Sequence, residues 1–554
     1  MIHRAGGTVR VQKKLCITII VLFLSASAFA QKPENMPQVL DYIHKGWDVL
    51  TRTMNSCETI IDKHAGVHSM LYLPVGYPEN EAMKEVTERC KVELAHLPQK
   101  VTAIGSLDTS HGFRQGTLYL PNPYVVPGGF LNEQYGWDSY FIIVGLLRDG
   151  RYDMAKGMVE NFFFEIDNYG DILNANRSYF MTRSQPPFLS SMVLLVYEAT
   201  PDATAKETWL KKAYPYIERD YNMWTSGDKL AGDTGLSRYF DYGHGPVPEV
   251  ADGHDPYYRD VFRYIQASNE KDDYLAESGK SAAKLIGPEF TMEVCEKRDG
   301  EKPTCGTSSP MQYTADYYKG DRAMRESGFD ISFRFGDFSG KTHHFAAVCL
   351  NSLLYKAETD MQKVSEILKN GQAQTWAGRA AKRKQLVDKY LWDAQRGRYF
   401  DWDFTLGKRS TYDYITTFYP LWVGLASQQQ AKQVMSHLDV FERAGGMSMS
   451  PYTTGVQWDQ PYGWAPTMMI GVGGMRRYGY KNEADRVSAK WVNTIARNFA
   501  KDGTIREKYD VVQSSSEFQA KAGYSENVVG FGWTNASALQ FAYDLGWVTK
   551  AAAN

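Results

Sequence analysis

The 554-residue sequence has no surplus of either charge: 62 Lys and Arg stand against 64 Asp and Glu. Nucleic-acid binding by counterion release needs an excess of cations, so that class is excluded. A charged fraction of 23% equally excludes a disordered polyelectrolyte. There is no Cys-x-x-Cys pair, no His-Glu-x-x-His and no Gly-x-Ser-x-Gly, which leaves zinc-finger, zinc-protease and serine-hydrolase chemistry unsupported. Gly471-Val-Gly-Gly474 lacks a P-loop lysine and a strand–helix setting, and predicts tight helix packing rather than a phosphate cradle. The His343-His344 pair has no partner at ligand spacing, so no metal is expected. Extended patterns are few and short, Gly116–Leu120 being one, and no Pro/Ser linker divides the chain.

Long apolar runs are also missing. The only candidate, Leu15–Leu24, is too short for a permanent membrane span. It follows Arg4, Arg10, Lys13 and Lys14 and precedes Ala28-Phe29-Ala30, the order of a cleavable signal peptide over residues 1–30. The expectation is a periplasmic or secreted protein starting at Gln31, with no membrane attachment after cleavage. Of six cysteines, Cys16 lies in that segment. Cys295 and Cys305 flank a polar loop and make a plausible local disulfide. Cys57 and Cys90 could make a second, and Cys349, in an apolar run, reads as a buried thiol.

What is present is helical periodicity, over 36–54, 81–96, 139–149, 151–166, 205–226, 344–358, 361–370, 376–392, 428–440, 465–478, 482–500 and 534–546. Between these lie loops rich in Gly, Pro, Trp and Asp at 121–138, 240–258, 326–340, 447–466 and 502–533. A dozen helices alternating with such loops fit one all-α toroid with its loops gathered at one rim. Residues 31–119 read as an N-terminal extension, 120–550 as the catalytic domain, and 280–322 as an insertion within it. Aromatic residues are abundant (36 Tyr, 26 Phe, 13 Trp). Flat rings beside Asp, Gln and Arg make surfaces that stack on a sugar ring and hydrogen-bond its hydroxyls.

Four segments concentrate these residue types. They are Trp137-Asp-Ser-Tyr-Phe141, Arg183-Ser-Gln-Pro-Pro187, Gln457-Trp-Asp-Gln-Pro461 and Gly530-Phe-Gly-Trp-Thr-Asn535. In order and spacing the chain over about 120–546 resembles the trehalases, glycoside hydrolase family 37. The resemblance implies an (α/α)6 toroid and inverting hydrolysis of an α-glucosidic bond, most simply that of trehalose, a small-molecule sugar, without cofactor. Inversion needs a protonated carboxyl at the leaving oxygen and a carboxylate that activates water. By similarity to the family motifs Glu-Ser-Gly-Trp-Asp and Glu-Lys-Tyr-Asp, Asp330 is the candidate acid and Glu507 the candidate base. Trp137, Asp138, Asn174, Arg183, Ser184, Gln185, Glu249 and Gly328 are the carried-over substrate-binding candidates.

Structural roles compete with these assignments. Asp330 could cap a helix starting at Ile331, Glu507 could pair with Lys508 or Arg506, Asp138 could serve a helix N-terminus, and Arg183 could be a buried structural cation. The sequence also departs from the family. Phe130 and Val247 stand where arginines are usual, Phe329 replaces the Trp before the acid, Tyr462 an Asn, and Glu526 is displaced by two positions. Arg177, Arg325 and Arg334 are the cations that could compensate. The two proton-transfer candidates remain while the recognition set changes. Two alternatives therefore stand beside trehalose hydrolysis: a related inverting glycosidase on another α-linked sugar, and a non-catalytic sugar-binding protein.

Overall fold

The computed structural model describes residues 31–62, 69–109, 112–250, 257–277, 289–296, 304–520 and 527–548, with backbone alone at 289–296 and 304–310. The signal-peptide expectation for 1–30 and the position of Glu526 lie outside the described residues.

Six helices form an inner ring: α2 (Gly136–Arg148), α4 (Leu189–Ala199), α6 (Val348–Leu368), α8 (Tyr419–Trp422), α10 (Ala465–Arg477) and α12 (Gly532–Asp544). Each packs on the next, and α12 closes on α2. Each is preceded in the chain by an outer helix: α1 (Met36–Val49), α3 (Tyr152–Asn168), α5 (Ala203–Trp224), α7 (Ala373–Tyr390), α9 (Gln428–Met435) and α11 (Lys481–Asp502). This is the (α/α)6 toroid. The expected boundary at 119/120 does not follow the architecture, because α1 packs on α11 and α12 and supplies the sixth outer position.

Local chemistry sets the helix ends. Asp202 caps α5 by accepting from the Ala205 amide at 2.7 Å, and Ser427 with Gln430 forms a capping box on α9. The helix expected over 81–96 stops at Cys90. Lys91 turns left-handed (φ 55°), and Glu93–His96 becomes a strand parallel to Met70–Leu73. The segments 344–358 and 361–370 join in the single helix α6, since nothing between them breaks the backbone ladder. The glycines of α10 allow close packing as expected: a Cβ at Gly473 would stand 2.8 Å from Trp422 Cδ1.

Inner-to-outer connections are short (149–151, 200–202, 369–372, 423–427, 478–480), whereas outer-to-inner ones are long (50–135, 169–188, 225–347, 391–418, 436–464, 503–531). The long loops therefore enter the inner ring at the helix N-termini. The longest contains the hairpin Glu289–Glu296 and Thr304–Tyr313, which opposes Cys295 to Cys305 in backbone register. Whether those two cysteines bond concerns side chains outside the described ones. The last residues of the expected 280–322 insertion belong to helix Ala315–Glu326, which is buried along most of its length. Cys57 and Cys90 form a disulfide, and Cys349 is a buried thiol.

Candidate active site

The long loops enclose a cavity of about 370 Å³. Trp137 and Asp138 come from the first turn of α2, and Asn174, Arg183 and Gln185 from the loop before α4. Glu249, Arg325, Gly328 and Asp330 come from the connection before α6, Gln457, Trp458 and Trp464 from that before α10, Glu507 and Phe531 from the approach to α12, and Trp533 from its first turn. Helix N-termini carry partial positive charge, which suits a site lined with carboxyl groups.

One wall is aromatic. The Trp137 ring lies 5.6 Å from Phe329, 6.0 Å from Trp458 and 5.7 Å from Trp533, and Trp458 stacks on Trp464 at 3.8 Å. Gly328 is forced to be glycine by this wall. Its φ is +75°, and a Cβ would stand 2.7 Å from Trp137 Cε2. Gln185 fixes the start of α2 by accepting from the Trp137 amide at 2.9 Å.

Four carboxyl side chains line the cavity, three of them, Asp330, Asp138 and Glu507, away from the polar wall that holds Glu249. Asp330 does not cap a helix, since Ile331 begins none. Its carbonyl is held by Gln457 Nε2 at 2.5 Å, and the residue is only partly buried where it lines the cavity. Burial pushes that carboxyl up to about 6, against the pull of Arg325 and Arg183. Burial also drives Asp138 well above the usual carboxylate range, with Glu507 and Asp330 adding repulsion. Glu507 takes the Lys508 ammonium on Oε2, while Arg506 pairs with Asp502 instead. The Glu507 backbone is fixed by Thr534 Oγ1 at 2.9 Å, and strand Lys508–Asp510 pairs with Tyr462–Trp464.

The opposite wall is polar. Arg183 donates to Asn174 Oδ1 at 3.1 Å and to Glu249 Oε1. Although burial alone would raise Glu249, Arg183 and Arg325 hold it below the ordinary value. Among the described residues Glu249 Oε2, Gln457 Oε1, and Arg325 Nε and Nη2 are buried without hydrogen-bond partners. Unpaired polar atoms around one cavity each carry a desolvation cost that a hydroxylated ligand would relieve.

Ser184 is the sequence-predicted site residue that does not line the cavity. Its hydroxyl bonds Ile172 O at 2.6 Å, and its amide bonds Glu326 Oε1 at 3.2 Å. Glu326 also holds Lys229 and the Phe240 amide, so Ser184 ties three loops together behind the wall. Of the three candidate compensating arginines, Arg177 is taken by Asp62 and Glu133 and Arg334 by Asp401. Arg325 alone of them lines the cavity, its guanidinium 4.8 Å from the Tyr257 ring centre. Val247 is buried in a separate cluster with Tyr257 and Tyr258, and Phe130, half exposed, stands at the cavity mouth. Tyr462 donates to Gln519 O at 2.8 Å and lies outside the lining. Sequence reasoning gave Arg325 only as one of three; its place at a helix end above the acid segment selects it.

An (α/α)6 toroid whose inner-helix N-termini surround carboxyl groups and tryptophans defines a glycoside hydrolase. Comparison with known sequences is specific. The chain matches the Trehalase family over residues 28–546, and it belongs to that family. It is 33% identical to a cytosolic neutral trehalase of Kluyveromyces lactis and 32% to one of Saccharomyces cerevisiae, each alignment covering 89% of this chain and 69% of the relative. The solved structure of neutral trehalase Nth1 from Saccharomyces cerevisiae superposes with a TM-score of 0.73 at 29% identity, over 92% of this chain and 94% of that one.

These relatives correct one expectation. The N-terminal pattern predicted a periplasmic or secreted protein, whereas the Kluyveromyces lactis and Saccharomyces cerevisiae relatives, which match most of the chain, are named cytosolic. The export reading does not stand. It rested on a local hydropathy pattern in residues 1–30, almost all of it before the family match begins at residue 28.

Proposed function

We propose that the protein hydrolyses α,α-trehalose to two glucose molecules with inversion at the attacked carbon. Asp330 donates its proton to the glycosidic oxygen as the carbon–oxygen bond breaks. Glu507 removes a proton from the water that attacks the same carbon from the opposite face. The step consumes one water and leaves Asp330 ionised and Glu507 protonated; a proton passing from Glu507 to Asp330 through solvent restores both. The observation that carries this reading is a pair of carboxyl groups on one cavity, one of them raised by burial to about 6. The named activity of the relatives supports trehalose as the sugar.

Trp137 supplies a stacking face, and Asp138 a carboxyl group that burial holds well above the usual carboxylate range. Asn174, Arg183, Gln185 and Glu249 shape the polar side of the site, and Gly328 leaves room for the Trp137 ring. Arg325, ion-paired with Asp321 at 3.6 Å, brings a guanidinium to the cavity lining of a chain that lacks the family arginines at Phe130 and Val247. Proton NMR of the first product from trehalose tests the proposal: one glucose should appear as the β anomer and the other as α. Two α products at the earliest time would refute inversion, and no glucose would refute the substrate.

A further inference from the structure

Outside the active site, the fold assembles a group of side chains that sequence spacing concealed. Asp316 lies in the first turn of helix Ala315–Glu326, and His343 and His344 lie in the turn Thr342–His344 packed against that helix. Both imidazole Nε2 atoms approach the same carboxylate oxygen, Asp316 Oδ1, at 2.9 Å for His343 and 3.3 Å for His344. The three donor atoms lie within 4.8 Å of one another. Ligands about 2.0–2.2 Å from a tetrahedral zinc ion are about 3.3 Å apart, so these separations need little adjustment to hold one. The backbone of the turn is already fixed: Arg238 Nη1 donates to His343 O at 2.9 Å, and the Phe404 amide to His344 O at 3.1 Å. His343 is buried, while Asp316 and His344 keep solvent access, which leaves an entry path and open positions for water.

We propose that Asp316, His343 and His344 bind a divalent transition metal, Zn2+ foremost, as a clasp across the base of the segment that presents Asp330. Two imidazoles and one carboxylate form a donor set suited to Zn2+ and poorly suited to Ca2+ or Mg2+, which take oxygen ligands. The placement gives the clasp its consequence. Helix Ala315–Glu326 runs into Gly328 and Asp330, and the turn Thr342–His344 runs into α6, so the ion joins the two ends of the acid-bearing loop. No proton transfer in hydrolysis passes through it. His343 Nδ1 has no hydrogen-bond partner among the described residues, and a missing outer partner weakens metal sites by about 10–100-fold. Affinity below that of a fully supported structural zinc site is expected.

Untagged full-length protein, stripped with chelator, is titrated with Zn2+ by calorimetry and with Co2+ by visible absorption. Wild type should bind one ion per chain, Co2+ should develop d–d bands, and Zn2+ should raise the melting temperature. His344→Gln and Asp316→Asn alter solvent-accessible side chains, so the fold is retained, and each should weaken binding at least about tenfold. The chain has 11 His, so these variants also separate this site from diffuse surface binding. Absence of saturable one-to-one binding by wild type overturns the proposal, as does undiminished binding by either variant. The three residues would then be a hydrogen-bonded cluster only.

Discussion

Replacing Asp330 by Asn should remove activity and raise stability, with the stability gain confined to higher pH. The carboxyl has an ordinary value of 3.8 and is pushed up to about 6 in the folded protein. Below pH 4 it is protonated in both folded and unfolded chains and costs nothing. Between pH 4 and 6 the unfolded chain releases the proton while the native site holds it, so folded stability falls as pH rises. Above pH 6 both forms are ionised and the penalty levels off. At 1.36 kcal/mol per unit the full penalty is about 3 kcal/mol, an upper figure because Asp330 is only partly buried and lines the cavity. An unfolding entropy of about 2.1 cal/mol/K per residue converts this to a rise of about 2–3 °C in melting temperature. Melting curves of wild type and Asp330→Asn at pH 4 and pH 8 check it, alongside kcat on trehalose. The expected result is equal melting at pH 4, a more stable variant at pH 8, and a kcat reduced about 10²–10⁴-fold. A variant less stable at pH 8 than at pH 4 relative to wild type would refute the burial argument. Retained kcat would refute the acid assignment independently. In wild type the same proton makes kcat/KM fall as pH rises through about 6.

Two further outcomes follow from the cavity walls. Arg325→Lys keeps the charge but loses the planar donor fork, and should lower kcat/KM on trehalose by about 1.5–3 kcal/mol, roughly 10–150-fold; unchanged steady-state kinetics would remove Arg325 from substrate recognition. Gly328→Ala places a methyl group 2.7 Å from Trp137 Cε2 at a backbone φ of +75°, and should cost about 1–3 kcal/mol of stability together with most activity; a melting temperature equal to wild type would contradict the packing described.

Much of the toroid was legible because the outer helices face water on one side. The stripe over 482–500 became α11, and that over 376–392 became α7. The inner helix Leu189–Ala199 was not legible. Its residues Leu189 to Leu194 are all buried, serines included, so no polar face marks a period. Site residues show the same division. Trp137, Asp138, Arg183 and Gln185 were readable as motif members, and all four line the cavity. Ser184 stands in the same motif, yet its side chain turns the other way to bond Ile172. Arg325 carried no more sequence signal than Arg177 or Arg334; all three meet carboxylates in the fold, and of the three Arg325 is the one that lines the cavity.

The sequence alone determined the class of fold and the identity of the chemical groups. Helical period, loop composition and ordered motifs are local properties, written in neighbouring residues. Which of those groups share a cavity was decided by the tertiary structure, because the cavity is made where five of the long connections converge on the inner-helix N-termini. The same holds for Asp316 with His343 and His344, which are 27 and 28 residues apart in the chain and within hydrogen-bonding reach in the fold. The raised carboxyl of Asp330 is likewise a tertiary property. An aspartate acquires that proton affinity only when surrounding chain excludes water from it.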